Sequence, residues 1–354
     1  ALICLRLVTC NLTLGIPCPA MDLVTGGTGI VGAHVVDALL SAGRPVRVLV
    51  REGSDRGIIR RILEHYHTDG AARFERIAWY VSDLRDPTGI RDAMQGVERV
   101  FHCAAIVSFD PRDAKAMLRE NIGGTANVVN AMLETGVKHL CHVSSTATIG
   151  LRADGRASNE QDAFVQDKHS SPYAISKHEA EMEVQRGIAE GLHAVLVNPC
   201  IVLGPGSPGR SSMTMIERVR RGTRFFPPGS NAVVDARDVA AAMLRAMDVA
   251  AVGERHLLIG ENLSYRALFT TIAGAFGQAA PTVPLRPWML ELGWRVERLR
   301  TLLFGRPFIT RHTARTAYRQ RAYDGSKARS VLGMKFRSTE EAVRNVGAFV
   351  GGGR

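Results

Sequence analysis

From residue 21 onward, short apolar runs alternate with longer stretches in which apolar residues recur every three to four positions. The runs 22–24, 46–50, 77–80, 99–102, 138–143 and 193–197 predict six strands. The stretches 30–40, 56–66, 88–94, 121–135 and 173–191 predict the helices between them. Strands that are apolar on both faces belong in a parallel sheet covered by helices on each side. The alternation therefore predicts an α/β fold with a doubly wound parallel sheet, whose ligand crevice lies at the carboxyl ends of the strands. Past residue 204 the rhythm weakens. The segments 205–212 and 227–231 are rich in Gly, Pro and Ser, and 239–250 regains helical periodicity. The expected organisation is a sheet domain over 21–203, to which 232–250 returns, followed by a smaller, mainly helical lobe over 204–354. The polar, aperiodic stretch 153–171 predicts a mobile loop.

Between the first strand and the first helix stands Thr25-Gly26-Gly27-Thr28-Gly29-Ile30-Val31-Gly32. Gly26 permits a tight turn, Gly29 lets the backbone approach a pyrophosphate, and Gly32 lets helix and strand pack closely. The N-terminus of the helix then offers free N–H groups and a positive dipole end to phosphate. This context predicts a dinucleotide site. The end of the second strand bears on which dinucleotide. An acid there would bond a ribose 2′-hydroxyl, but Val48-Leu49-Val50 runs into Arg51, with Ser54 and Arg56 close behind. A cation in this place suits a 2′-phosphate, so NADP(H) is expected in preference to NAD(H).

Tyr173-Ala174-Ile175-Ser176-Lys177 sets a phenol and an ammonium one helical turn apart on one face. A nearby ammonium lowers a phenol's pKa, which readies it to exchange a proton with a substrate hydroxyl. The pair follows the fifth strand, which ends in the hydroxyl cluster Ser144-Ser145-Thr146. One of these hydroxyls is placed to hydrogen-bond a substrate oxygen, although such clusters also cap turns.

Composition narrows the class without changing this picture. With 45% apolar and 22% charged residues, the chain is neither disordered nor a disulfide scaffold. No apolar run reaches the length of about 18 residues that a membrane-spanning helix requires. Cys4, Cys10, Cys18, Cys103, Cys141 and Cys200 form no CxxC pair, so free thiols in a reducing, cytoplasmic setting are expected and a metal site is not. Residues 1–20 read as a poorly ordered extension upstream of a natural start at Met21, with a secretory signal as the alternative. The net charge is +11, and 14 Lys/Arg against five acids between Arg286 and Arg344 place most of it late in the chain. A solvated helical face is the expected reading. Nucleic acid is not an expected partner, because aromatic residues do not interleave the basic ones. Within this region, 287–304 carries Trp288, Leu292, Val296, Leu299 and Leu303 at helical spacing beside Arg295 and Arg298. It is expected to turn that stripe to the core, with weak peripheral membrane contact as the other reading.

Taken together, TGGTGIVG, Ser82-Asp83-Leu84, His102-Cys103-Ala104-Ala105, Asn121, VSSTATIG, YAISK, Asn198-Pro199 and Gly204-Pro205-Gly206 resemble the extended short-chain dehydrogenase/reductase superfamily from about residue 21 to the C-terminus. Within it, the likeness is to the NAD-dependent epimerase/dehydratase family and its dihydroflavonol-reductase-like and 3β-hydroxysteroid-dehydrogenase-like branch. The resemblance implies a Rossmann-type sheet with a C-terminal substrate lobe. It implies Tyr173 as acid/base, Lys177 as the residue that tunes Tyr173 and holds the nicotinamide ribose, Ser145 as the catalytic hydroxyl, and Asn121 as support for the proton relay. For the cofactor it implies Gly26, Gly29, Ile30, Gly32 and Arg51, with Asp83 and Leu84 at adenine, Ala104 and Ala105 along the dinucleotide, and Pro199 and Ile201 near the nicotinamide. Val107 and Phe109 are candidates for the substrate side. Thr146 and Ala147 follow Ser145 where sugar-nucleotide dehydratases carry an acid, and Ile201 stands where sugar-nucleotide epimerases carry Asn. The expected function is therefore an NADP(H)-dependent oxidoreductase that interconverts a ketone or aldehyde and an alcohol on a mainly apolar small molecule. The alternatives are a sugar or sugar-nucleotide epimerase with retained NAD and a non-catalytic dinucleotide-sensing module. A homodimer is the oligomer the resemblance implies.

Overall fold

The structure, a computed structural model, describes residues 21–108, 110–152, 154–168, 170–303 and 310–352. The predicted extension 1–20, and with it Cys4, Cys10 and Cys18, lies outside the described residues, as does Phe109. Six strands form where the apolar runs predict them: β1 (Met21–Thr25), β2 (Val46–Val50), β3 (Ala78–Val81), β4 (Val97–His102), β5 (His139–Val143) and β6 (His193–Pro199). Three short strands follow, β7 (Ile201–Leu203), β8 (Phe225–Phe226) and β9 (Ser230–Asp235). The last three are β10 (Arg255–Leu258), β11 (Glu261–Ser264) and β12 (Val283–Pro284).

The main sheet runs β3-β2-β1-β4-β5-β6-β10, all parallel. The order reverses between β1 and β4, which opens a crevice at their carboxyl ends. Alternate residues feed opposite layers. Val24, Val48, Phe101 and Cys141 pack on one side with the helices Ile30–Ser41 and Ala236–Val249, whereas Leu23, Leu49, Val100 and Leu140 pack on the other with Gly124–Thr135. Each fully buried Val, Leu or Phe contributes about 1.5–3 kcal/mol, so both layers are needed to hold the crevice rigid.

Four features depart from the sequence reading. β10, which that reading left in the C-terminal lobe, is the seventh strand of the main sheet and pairs with β6. It is only four residues long and sits at an edge, so it carries little apolar signature. The helix expected from 121 begins earlier, as Ala114–Leu118, widens into a π-helical turn at Arg119–Gly123, and resumes at Gly124. The stretch expected to be a mobile loop is tethered instead: Arg152 pairs with Asp162 at 2.8 Å, the Leu257 N–H donates to Glu160 at 2.8 Å, and Ser158 bridges to Tyr323. Its polar residues bind one another and β10, which is why no periodicity marks them. Finally, the helix Pro287–Leu303 does not bury its stripe. Trp288, Leu292, Val296 and Leu299 are 54–66% exposed, and Leu290 is the residue it turns inward.

Beyond the main sheet, β7, β9 and β11 make a three-stranded sheet. The helices Ser211–Arg220, Tyr265–Ala275 and Thr339–Gly351 pack with it around Leu203, Val233, Leu268, Ile272 and Val343.

Candidate active site

The glycine turn lies at the crevice between β1 and β4. Gly26 has φ +68°, and a Cβ there would stand 2.5 Å from the Ala104 Cα; a Cβ on Gly32 would stand 2.3 Å from the Gly26 carbonyl oxygen. Both positions are closed to a side chain. Gly29 differs. Its nearest neighbour to such a Cβ is the Gly26 oxygen at 3.2 Å, and it caps the helix Ile30–Ser41 without a side-chain hydrogen bond. The first turn of that helix also lacks an acid. The N–H groups at this end thus keep their donors for a ligand, which fits a dinucleotide's pyrophosphate. Gly206, after β7, approaches Ile30 and closes the far wall of this region.

Beneath the turn, His102 ties the strand ends together. Its Nδ1 meets the Thr25 hydroxyl at 2.7 Å and its Nε2 meets Thr125 at 3.0 Å, while Thr25 also accepts from the Ala104 N–H. Burial lowers the His102 pKa to about 3, so the ring is neutral. Ala104 and Ala105 emerge from β4 directly above it, and Val107 is exposed just beyond. Arg51 is exposed at the end of β2, and the Arg56 guanidinium lies 4.9 Å from the centre of the Trp79 ring. Asp83 commits its carboxylate to Arg85 (2.8 and 3.0 Å), which holds its pKa below the usual value; Leu84 packs against the second core layer and accepts from Asn127 at 2.8 Å.

At the end of β5, Ser145 caps a short 3-10 turn by accepting from the Ala147 N–H at 3.1 Å. The helix Pro172–Ala189 delivers Tyr173 across the crevice to the Ser145 side chain, which acts to lower the phenol's pKa. Ser171 caps this helix by accepting from Ala174 at 3.0 Å, and Pro172 occupies its first position, which fixes where Tyr173 falls. Lys177 is buried one turn on and donates to the Val143 carbonyl at 2.6 Å. Burial pulls its pKa down to about 8, opposed by Glu181 and Cys103.

One expectation is corrected here. The Tyr173 pKa is raised, not lowered: burial raises it, and the Ser145 side chain only partly offsets that. Tyr173 is consequently a protonated donor at neutral pH. The Lys177 ammonium donates to the Val143 carbonyl. Asn121 also acts differently from a direct partner of the Tyr/Lys pair. Its amide bonds both backbone groups of Ile106 (2.7 and 3.0 Å) and donates to Ser176 at 3.0 Å, pinning the loop after β4 to the helix Pro172–Ala189. Pro199 ends β6 and is buried; Ile201 opens β7 and is half-buried.

Two residues escaped the sequence reading. Glu181, 1% exposed, accepts from Thr148 and Asn198 at 2.8 Å each and lies 3.5 Å from Arg255. Asn198 also reaches the Ser145 carbonyl at 3.2 Å, so Glu181 braces the turn that carries the hydroxyl. Its spacing from Lys177, again i+4, was a legible signal. Tyr323, 2% exposed, reaches Thr146 beside Ser145 with its side chain. Nothing in the sequence links position 323 to 146, and only the tertiary fold joins them. Among the described residues no His/Cys/Asp/Glu cluster is able to hold a metal ion, and Cys103, Cys141 and Cys200 are free.

A switched parallel sheet, a phosphate-sized glycine turn and a Ser–Tyr–Lys set define an NAD(P)-dependent enzyme of the extended short-chain dehydrogenase/reductase type, an oxidoreductase or an epimerase. Residues 23–260 match the model of the NAD dependent epimerase/dehydratase family, and the chain belongs to that family. Over 325 residues it is 32% identical to the sterol demethylase protein B of Methylococcus capsulatus, which covers 90% of this chain and 95% of the relative. A Synechocystis sp. protein with the provisional name dihydroflavonol 4-reductase is 31% identical over 329 residues, covering 90% and 91%. The crystal structure of gox2253 superposes with a TM-score of 0.77 at 30% identity, covering 94% of this chain and 98% of that one. No helix among the described residues is long and apolar enough to cross a membrane.

Proposed function

We propose that the protein is an NADP(H)-dependent oxidoreductase that interconverts a carbonyl and a secondary alcohol on a mainly apolar small molecule. The observation that carries the reading is the Ser145 side chain set against the Tyr173 phenol, whose pKa burial raises so that it keeps its proton. When bound, the dinucleotide supplies or accepts the hydride. In the reducing direction Ser145 orients and polarises the substrate oxygen, and Tyr173 gives that oxygen its proton. The buried Lys177 ammonium presents a fixed positive charge to the cofactor's ribose side, and Asn121 holds the loop and helix between which the substrate enters. Gly26, Gly29, Ile30 and Gly32 form the pyrophosphate cradle, Asp83 and Leu84 contact adenine, Ala104 and Ala105 line the dinucleotide after β4, and Pro199 and Ile201 border the nicotinamide end. Arg51, exposed at the end of β2 with Arg56 nearby, supports a 2′-phosphate and hence NADP(H). The names of the two relatives refer to a sterol, which is largely apolar, and a dihydroflavonol, which is a hydroxylated ring system; both support a small-molecule substrate other than a nucleotide sugar. The exposed Val107 and the absence of an acid after Ser145 support it too. Free thiols at Cys103, Cys141 and Cys200 support a reducing compartment, and a homodimer completes the proposal.

The test is a spectrophotometric screen of NADPH and NADH oxidation against ketones, aldehydes and nucleotide sugars, run on the wild type and Tyr173→Phe. Loss of turnover with NADPH binding intact is expected of the variant. Unchanged turnover, or a purified protein holding NAD(H) that a nucleotide sugar does not consume, would overturn the reading.

A further inference from the structure

The helix Pro287–Leu303 presents an apolar stripe that no described residue covers. Trp288 is 62% exposed, Leu292 54%, Val296 57% and Leu299 66%. At 100° per residue these four side chains fall within one quadrant of the helix, since they stand at i, i+4, i+8 and i+11. Arg295 borders the stripe with Arg298 beyond it on the same side, Arg300 flanks the other side, and all three are exposed. The opposite face holds the buried Leu290 and the half-buried Trp294, so the helix is anchored by one side only. Between 286 and 321 the chain carries nine arginines and two glutamates.

We infer that this helix docks the protein on an anionic lipid surface, lying in the plane of the headgroups with Trp288, Leu292, Val296 and Leu299 inserted. Charge decides among occupants. In a two-fold dimer the same patch meets itself, and a segment so rich in arginine would repel its copy. Anionic headgroups instead complement the arginines while the acyl boundary takes the apolar stripe, the arrangement of an interfacial amphipathic helix. The helix is also coupled to the site. Tyr318 donates to the Leu285 carbonyl at 2.7 Å just before it, and the segment that follows leads to Tyr323, whose side chain reaches Thr146 beside Ser145. If the substrate is apolar, as proposed above, docking would shorten its path from lipid to the crevice. That consequence rests on the proposed function; the docking itself does not, and vesicle binding tests it without any substrate.

The experiment is flotation of the full chain with phosphatidylglycerol/phosphatidylcholine vesicles and with pure phosphatidylcholine vesicles. It is run at about 0.1 M and about 1 M salt, between which the Debye length falls from ~10 to ~3 Å. Binding to the anionic vesicles at low salt, weakened several-fold at high salt, is expected, with a blue shift of tryptophan emission that Trp288→Phe removes. The Leu292→Glu/Leu299→Glu variant should lower the bound fraction at least ten-fold and keep its thermal unfolding transition, because both side chains already face water. Three results would overturn the inference: no flotation with anionic vesicles, binding that the double variant leaves intact, or a concentration-dependent dimer of the wild type that the double variant abolishes.

Discussion

Glu181 is the residue whose replacement should most clearly separate bracing from chemistry. Its carboxylate accepts two hydrogen bonds of 2.8 Å, from Thr148 and Asn198, and stands 3.5 Å from Arg255. Removing one side of a buried ion pair typically costs about 3–5 kcal/mol, much of it the penalty of stranding the partner. Glu181→Ala removes the carboxylate from Arg255, which is 23% exposed and keeps the Glu160 carbonyl, and from two donors that keep the Ser145 carbonyl, so a loss at the low end of that range, about 3 kcal/mol, is expected in denaturant unfolding. Glu181→Gln keeps an acceptor and removes only the charge, so roughly 1–3 kcal/mol is expected. The second readout is the pH profile of kcat. Glu181 raises the pKa of Lys177, which burial otherwise pulls down to about 8. Without the negative charge the ammonium is lost at lower pH, so the basic limb of the profile should move down in Glu181→Gln. A folded Gln variant whose basic limb stays in place, or moves up, would refute the argument that Glu181 sustains the charge of Lys177.

Arg51→Ala should raise the KM for NADPH by about ten- to a hundred-fold, the equivalent of one charge-assisted hydrogen-bond set of ~1.5–3 kcal/mol, and leave the NADH KM alone; parallel loss with both cofactors would mean that Arg51 does not read the 2′-phosphate. Gly26→Ala forces a side chain into left-handed backbone 2.5 Å from Ala104 and should cost at least 1–3 kcal/mol of stability, whereas Gly29→Ala should fold normally and weaken dinucleotide binding; equal unfolding curves for the two would refute the steric assignment. His102, with a pKa of about 3, and His256, at about 4, are buried and neutral, and burial also holds His142 well below the usual value. The unfolded chain binds these protons near pH 6.5 and the native chain does not, so stability should fall as the pH drops from 6.5 toward 4, by about 1.4 kcal/mol per unit for each histidine. Equal denaturant midpoints at pH 7 and pH 5 would refute that account.

The sequence by itself determined the sheet and its cofactor edge. Strands β1, β2, β4 and β5 carry apolar residues to both layers, and the glycine turn after β1 and the tyrosine and lysine on the helix after β5 mark chemistry that local spacing already encodes. The i, i+4 relation of Tyr173 and Lys177 is a property of the helix and needs no fold to be read. The tertiary structure alone decided how these groups are electrically set. Burial raises the pKa of Tyr173 where local spacing alone suggests the opposite, and the Lys177 ammonium bonds the Val143 carbonyl; no pattern in the chain reports which carbonyl a buried amine will meet. It also decided that β10 completes the sheet, that Tyr323 reaches Thr146, and that the stripe of 287–303 faces outward. Amphipathicity says that a helix has two faces. Which face is covered depends on what else packs nearby, and that is settled only when residues far apart in the chain arrive in the same place.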